Sequence, residues 1–274
     1  MAQTARRHHW WRLTPEQQAK IGELAVEHPG WSSRRIRDEI NALGPDVTHQ
    51  TVLNELRRQG LKDLDQRVLR LQERFRGRED DLSDEQIRVS AKINPCIREC
   101  RNPSDRPGQR LVQTMLRDGT HAVVDTYSLI AFLWSPQRSL EEDVVDVLRC
   151  VALPFFASLG IRVEEILTEG GTRYGRTEKH PYRSLLKNEG ITHRRADNGV
   201  PFRHGFLDRF RSVYVERYRL LEIAFITHPY RRLPPGQGGT DVVTMRYNSW
   251  ISFEGYPLWK RTPWAMLAEY MNGR

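Results

Sequence analysis

The chain has 274 residues, 38% hydrophobic and 28% charged, a composition typical of a globular protein with a buried core. No run of 18 apolar residues and no apolar N-terminal segment occurs, so the sequence predicts neither a membrane span nor a secretion signal. The three cysteines give no disulfide framework and indicate a reducing, cytoplasmic location. The net charge of +8 and the pI near 9.6 indicate a polyanionic partner.

The first sixty residues predict three short helices. Thr14, Ser32 or Ser33, and Thr48 are residue types that cap helix N-termini, and apolar residues recur at helical spacing after each of them. This pattern is typical of a helix-turn-helix DNA-binding domain, which we assign to residues 1–62, although an ordinary three-helix bundle would give it too. In the DNA-binding interpretation the third helix contacts DNA through His49, Gln50, Thr51, Asn54, Arg57 and Arg58.

Residues 63–106 predict a helical linker. Residues 61–78 have the pattern of a basic amphipathic helix, and a second helix is expected near Asp84 to Asn94. A loop rich in proline, arginine and aspartate then marks a domain boundary. The cysteines and histidines in this half of the chain lack the spacing of a zinc site; they are His8, His9, Cys96 and Cys100.

Residues 107–232 predict a mixed α/β domain, followed by a tail over 233–274. Strands are expected at 110–116, 120–125, 129–134, 162–168 and 191–195, with helices at 140–159 and 202–225. Three strands joined by short turns, followed by alternating helices and strands, indicate one mixed sheet with helices against it.

A basic region lies in the second half of this domain. Residues 171–232 contain 14 lysines and arginines against six acidic residues. This excess indicates a phosphate-binding surface, although a solvated basic face would have the same composition. The candidate contacts are Arg173, Arg176, Lys179, Arg183, Arg194, Arg195, Arg203, Arg209 and Arg211.

Short motifs in this domain occur in the order found in one known family. They are Gly108–Gln113, Val123–Ser128, Leu153–Phe156, Ile166–Gly171, His180–Tyr182, Gly190–Arg195 and Gly205–Phe210. Together they resemble the integrase catalytic core of bacterial insertion-sequence transposases, relatives of retroviral integrases. The resemblance covers roughly residues 10–75 and 105–270. It implies a ribonuclease-H-like core after a helix-turn-helix domain, double-stranded DNA as partner, association with the nucleoid, and a homo-oligomer on paired DNA ends.

The resemblance also implies three acidic positions, and all three differ here. Members of the family hold two divalent metal ions, Mg²⁺ or Mn²⁺, with two aspartates and a glutamate, and these ions activate the attacking and leaving oxygens. The first aspartate position is Thr114, the second is Glu169, and the glutamate position is Asp208. Glu169 and Asp208 remain candidate metal ligands with exchanged side-chain lengths, whereas the neutral hydroxyl of Thr114 cannot replace a bridging carboxylate.

Three interpretations therefore remain open from the sequence. The first is a DNA-binding protein derived from a transposase, with impaired or no strand transfer. The second is an active metal-dependent transposase that uses Thr114, Glu169 and Asp208, with Asp125 recruited as a substitute acid. The third is the product of a decaying gene with no selected role.

Overall fold

The chain divides after Ile93 into two compact units. A computed structural model describes residues 13–42, 46–136, 139–175, 177, 179–196, 204–214 and 238–273. No helix within these ranges is long and apolar enough to cross a membrane.

The first unit is helical. Its helices are α1 (Pro15–Glu27), α2 (Ser33–Asn41), α3 (His49–Arg58), α4 (Leu64–Arg74) and α5 (Asp84–Ser90). The three predicted caps are confirmed, because the hydroxyls of Thr14, Ser32 and Thr48 each accept a hydrogen bond from the backbone N–H three residues later. The helix expected over 61–78 is shorter at both ends, since Asp63 caps it and it ends before Gly77, where φ is 78°.

A buried arginine fixes α4 within this unit. The guanidinium of Arg67 donates hydrogen bonds to the carbonyl oxygens of Leu61 at 2.7 Å, Trp31 at 2.6 Å and Pro29 at 3.3 Å. Pro29 and Trp31 belong to the connection between α1 and α2, so one side chain joins that connection to α4. Burial lowers the pKa of Arg67, and the carbonyl oxygens replace the water that its charge has lost.

The second unit contains a five-stranded mixed sheet. Its strands are β1 (Arg110–Met115), β2 (His121–Asp125), β3 (Ala131–Trp134), β4 (Glu165–Thr168) and β5 (Thr192–Arg195), in the order β3-β2-β1-β4-β5. The β1–β2 and β2–β3 pairs are antiparallel, whereas β4 is parallel to β1 and β5 is parallel to β4. This is the strand order of a ribonuclease-H-like core, and it confirms the mixed α/β fold expected from the sequence.

Helices cover the sheet and bury its apolar core. They are α6 (Leu140–Asp146), α7 (Leu153–Ser158), α8 (Pro181–Asn188), α9 (205–214), α10 (Gly238–Trp250) and α11 (Pro263–Asn272). Side chains from both layers, such as Val123, Leu148, Phe156 and Ile166, are fully buried in one cluster. The helix predicted over 202–225 is present at 205–214, directly after His204, and residues 202–203 and 215–225 lie outside the described ranges.

The prediction of one continuous α-helix over residues 140–159 is wrong in the middle of that range. Residues Val147–Ala152 form a π-helical segment between α6 and α7, and the N–H of Leu153 donates to the carbonyl of Leu148. Pro154 follows at once; it has no N–H to donate and its ring would clash with the carbonyl four residues earlier. Widening the preceding turn accommodates the proline without ending the helix.

Candidate functional site

The family resemblance implies three acidic metal-binding positions, and two of them lie side by side at one edge of the sheet. In the parallel pair β1–β4, Gln113 is opposite Thr168, so Thr114 and Glu169 are the next residues on neighbouring strands. Neighbouring strands are about 4.8 Å apart, so the structure brings these two positions together. Thr114 is fully buried, whereas the side chain of Glu169 is 28% exposed.

The third position reaches this edge from α9, through an arginine one turn further on. The Nη2 of Arg211 donates a hydrogen bond to the Oγ1 of Thr114 at 2.8 Å, and its Nη1 donates to the Oδ1 of Asp208 at 3.3 Å. One guanidinium therefore joins the first and third positions. The cation that lies between them thus belongs to the chain itself. Its charge is permanent, because arginine does not lose its proton in proteins.

The two acids have further arginine partners. The Nη2 of Arg98, from the 3₁₀ turn Pro95–Glu99, lies 2.5 Å from the Oδ2 of Asp208. The Nη1 of Arg173 lies 3.6 Å from the Oε1 of Glu169. Three guanidinium groups thus pair with two carboxylates, and the cluster has an excess of positive charge. We call these residues the arginine cluster: Arg98, Arg173, Arg211, Thr114, Glu169 and Asp208.

Close backbone packing fixes the start of α9 and hence Asp208. A Cβ atom on Gly205 would lie 2.3 Å from the carbonyl oxygen of Pro95, so only glycine fits there without a shift of the backbone. The N–H of Gly205 also donates to the Oε1 of Glu99 at 2.7 Å. These contacts place the first turn of α9 directly against the turn that carries Arg98.

Burial shifts the pKa values of two groups beside α9 in the direction that favours their neutral forms. Burial lowers the pKa of His204 to about 3, and the positive charges of Arg110 and Arg98 act in the same direction. Burial also raises the pKa of the neighbouring Glu99, against the effect of its hydrogen bond from Gly205. His204 is therefore uncharged at neutral pH, so it adds no further cation to the cluster.

The residues at this edge do not fit a pair of divalent metal ions. Such a site needs several carboxylate oxygens arranged around each ion. Within the described ranges, no group of three or more His, Cys, Asp or Glu side chains could hold a metal. Thr114 supplies only a neutral oxygen, which already accepts from Arg211, and Asp208 is bound by two guanidinium groups.

The structure does not bring Asp125 to this edge. Asp125 is opposite Leu111, three residues and roughly 10 Å along β1 from Thr114. Its carboxylate is fully buried and accepts hydrogen bonds from the N–H of Gly108 at 2.9 Å and the N–H and hydroxyl of Ser128 at 2.7 and 2.6 Å. These bonds hold the turn after β2, which accounts for the aspartate without a catalytic role.

Most of the basic residues predicted to contact phosphate have partners within the core. Arg194 lies 2.5 Å from Glu165, and Arg209 lies over the ring of Phe253 at 4.8 Å. Arg195 donates to the carbonyls of the loop after β4, at Gly170, Gly171 and Gly175. Lys179 is exposed, while Arg176 and Arg203 lie outside the described residues.

The candidate contacts on α3 form one polar face. His49, Gln50, Asn54, Arg57 and Arg58 are exposed, and Thr51 is half-buried. The Oδ1 of Asn54 accepts from the Nε2 of Gln50 at 3.0 Å and from the Nη1 of Arg57 at 3.1 Å. Arg58 instead bonds the buried Glu55 at 2.8 Å. Gln50, Asn54 and Arg57 therefore form an ordered row of donors and acceptors along the helix.

Sequence reasoning missed Arg98 and did not place Arg211 in the site. Arg98 lies 110 residues before its partner Asp208, in a segment predicted as linker, and Arg211 lies 97 residues after Thr114. The one available signal was the spacing of Asp208 and Arg211, which puts both side chains on one helix face.

Comparisons with known proteins give structures but no sequence relative. No protein-family model matches the chain. No curated protein matches it either. An intasome of simian T-cell lymphotropic virus, solved with the PP2A regulatory subunit B56 gamma, is 18% identical with a TM-score of 0.47. The match covers 61% of this chain and 56% of that one, so this chain spans little more than half of the viral chain.

Two further matches are single domains. The catalytic core domain of HTLV-2 integrase, in a dimeric form with magnesium, is 15% identical, with 60% of this chain and 98% of that chain covered and a TM-score of 0.42. The core domain of BIV integrase is 13% identical, with 61% and 97% covered and a TM-score of 0.44. Both are retroviral integrase cores.

Proposed function

We propose that this chain is a DNA-binding protein with an integrase-type core over residues 107–232 that does not perform metal-dependent strand transfer. The observation that carries this proposal is the position of Arg211, whose guanidinium bonds both Thr114 and Asp208. The cation at this edge is therefore covalently part of the chain, and a metal ion would have to displace it.

The arginine cluster is suited to bind a phosphate group but not to catalyse strand transfer at it. A metal ion lowers the pKa of bound water and can bridge the attacking and leaving oxygens. A guanidinium group does neither, because it stays protonated and offers only N–H donors. Thr114 is neutral and Asp208 is paired with two arginines, so neither is available as a general base.

The polar face of α3 supports binding of double-stranded DNA by the domain assigned to residues 1–62. Gln50, Asn54 and Arg57 are exposed and held in one row, and these residue types hydrogen-bond base edges in the major groove. The net charge of +8 adds attraction to the phosphate backbone. In this proposal α3 selects the DNA sequence.

The test of DNA binding uses the full chain and selection from random duplex DNA. The selected duplex is then titrated by fluorescence anisotropy, and we expect salt-dependent binding that persists in EDTA. Asn54→Ala/Arg57→Ala should weaken binding roughly 10- to 100-fold, because two base-contacting side chains are lost. Arg70→Ala, an exposed arginine on α4, is the matched control and should change little. A wild-type chain with no duplex preference would contradict this part of the proposal.

The alternative function is an active transposase, supported by the meeting of Thr114, Glu169 and Asp208 at one edge. Nicking and strand joining of the selected duplex are measured with Mg²⁺ and with Mn²⁺. We expect no product above that of Asp208→Asn. Metal-dependent product that this substitution abolishes would establish the alternative and overturn the non-catalytic assignment.

A further inference from the structure

A basic pocket lies at the far edge of the sheet, away from the strands that carry Thr114 and Asp125. Helix α8 and the edge strand β5 border a surface pocket of about 280 Å³. Five residues line it: Arg183, Leu186, Lys187, Ile191 and His193. Three of them carry nitrogen donors, and the leucine and isoleucine form an apolar wall, so the lining suits a small anion better than an apolar ligand.

Neither cation of the pocket has an acidic partner among the residues that the structure describes. Arg183 and Lys187 are four residues apart on α8, and no carboxylate among the residues with a described placement forms an ion pair with either. Arg173 and Arg194, from the same basic region, each pair with a glutamate. Like charges at this spacing repel each other and disfavour a helix, so an anion between them would relieve the repulsion.

The third donor is a histidine held in one orientation. The Nε2 of His193 lies 2.9 Å from the Oγ1 of Thr168, whose hydroxyl donates to the carbonyl oxygen of Glu169 at 3.1 Å. Nε2 is thus engaged with Thr168, and Nδ1 is the ring nitrogen left to donate to an anion when the ring is protonated. The ring packs edge-on against the buried Tyr182 at 5.2 Å, which fixes its position on the pocket wall.

We propose that Arg183, Lys187 and His193 form a binding pocket for a phosphate group. The group lies between the guanidinium and the ammonium, and His193 contributes a third hydrogen bond once it is protonated. Burial, together with Arg195 and Arg183, lowers the pKa of His193 to about 4, and a bound dianion would act against these arginines and raise it. The phosphate is either a backbone phosphate of DNA or a free phosphate. The first case rests on the DNA binding proposed above, and the second does not.

The first arm of the test measures DNA affinity of the full chain as a function of salt. Arg183→Ala/Lys187→Ala should reduce the slope of log K against log salt by about 0.9 and weaken binding roughly tenfold at 0.1 M salt, as expected for one lost phosphate contact. Arg117→Ala/Arg149→Ala removes two exposed cations elsewhere in the same unit and is the charge-matched control. The slope of the control should stay near that of the wild type.

The second arm titrates the full chain with inorganic phosphate while the histidine rings are followed by NMR, with His193 assigned from His193→Gln. We expect a saturable shift of the His193 ring and a rise of its pKa, both absent in Arg183→Ala/Lys187→Ala and unchanged in the control.

A response in the DNA arm assigns the pocket to a backbone phosphate, and a response to phosphate alone assigns it to a free phosphate. Lack of response in both arms overturns the pocket. If the wild type binds no DNA, the function proposed above fails while the phosphate arm still decides the pocket.

Discussion

Arg211 donates a hydrogen bond across 2.8 Å to the hydroxyl of Thr114, a side chain that is entirely buried in β1. The same guanidinium bonds Asp208 on its own helix. The contact joins strand β1 to helix α9 at two of the three positions where the family resemblance implies acidic metal ligands. The edge of the sheet is thus held together by charges that the chain supplies itself.

The contribution of Arg211 to stability can be measured directly. Arg211→Met removes the bond to the buried Thr114 and one of the two guanidinium partners of Asp208, and it keeps most of the apolar stem. We expect the free energy of unfolding to fall by about 1–3 kcal/mol, the usual cost of losing hydrogen bonds to a charged group. Urea denaturation of the full chain measures this value. The control is Arg149→Met, an exposed arginine of the same unit, and equal stability of the two variants would refute the bridging role.

Gly205 is predicted to be required for the close packing of α9 against the turn at Pro95. Gly205→Ala places a methyl group 2.3 Å from a backbone oxygen, so the helix must shift. We expect a loss of roughly 1–3 kcal/mol in unfolding free energy, as for overpacked positions. Gly273→Ala is the matched control, since its nearest neighbour would lie at 3.5 Å, an ordinary contact. Thermal unfolding of the two variants decides the point, and similar midpoints would contradict the close packing.

His121 makes the stability of the second unit depend on pH. Burial lowers its pKa from 6.5 to about 4, and the positive charge of Arg173 adds to this while Asp143 opposes it. Below pH 6.5 the unfolded chain binds a proton that the folded chain does not, so this stabilising contribution is complete above pH 6.5 and is lost as the pH falls towards 4.

His121→Gln removes that proton. Between pH 6.5 and 4, the unfolding free energy of the variant should fall less steeply than that of the wild type, by up to about 1.4 kcal/mol per pH unit. Urea denaturation at half-unit steps of pH measures both slopes. Parallel curves for the two proteins would show that His121 titrates normally in the folded state.

Arg67 is predicted to hold α4 in the first unit. Arg67→Ala leaves the carbonyls of Leu61, Pro29 and Trp31 without the donor they share. We expect a loss of roughly 2–4 kcal/mol, since several bonds to one charged group disappear together. Arg70→Ala on the same helix is exposed and should change stability by less than about 1 kcal/mol. Helix content followed by circular dichroism on heating compares them, and equal midpoints would count against this role.

The sequence was sufficient for the fold because its signals are local. Capping residues such as Thr14 and Thr48 act within three residues of the backbone they bond. The sequence predicted where each of the five strands lies, mostly from short runs of apolar or β-branched residues, whereas their order in the sheet comes from the structure. The π-helical segment was missed, although Pro154 was a visible reason to expect an irregular helix.

The arginine cluster could not be predicted in the same way. The positions of Thr114, Glu169 and Asp208 followed from motif order, but their partners depend on how distant segments pack. Arg98 had no local pattern that separated it from the other arginines of a basic chain, and for Arg211 the only local signal was its spacing from Asp208 on one helix face. Whether an arginine pairs with an acid or remains unpaired is decided by tertiary contacts.

The most direct test of a site without metal is a calorimetric titration of the full chain with Mn²⁺, performed on the wild type and on Asp208→Asn. We expect identical heats for the two proteins, because Arg98 and Arg211 already occupy both oxygens of Asp208. Saturable binding in the wild type that Asp208→Asn removes would contradict it, since it would show that a metal ion displaces Arg211 from the site.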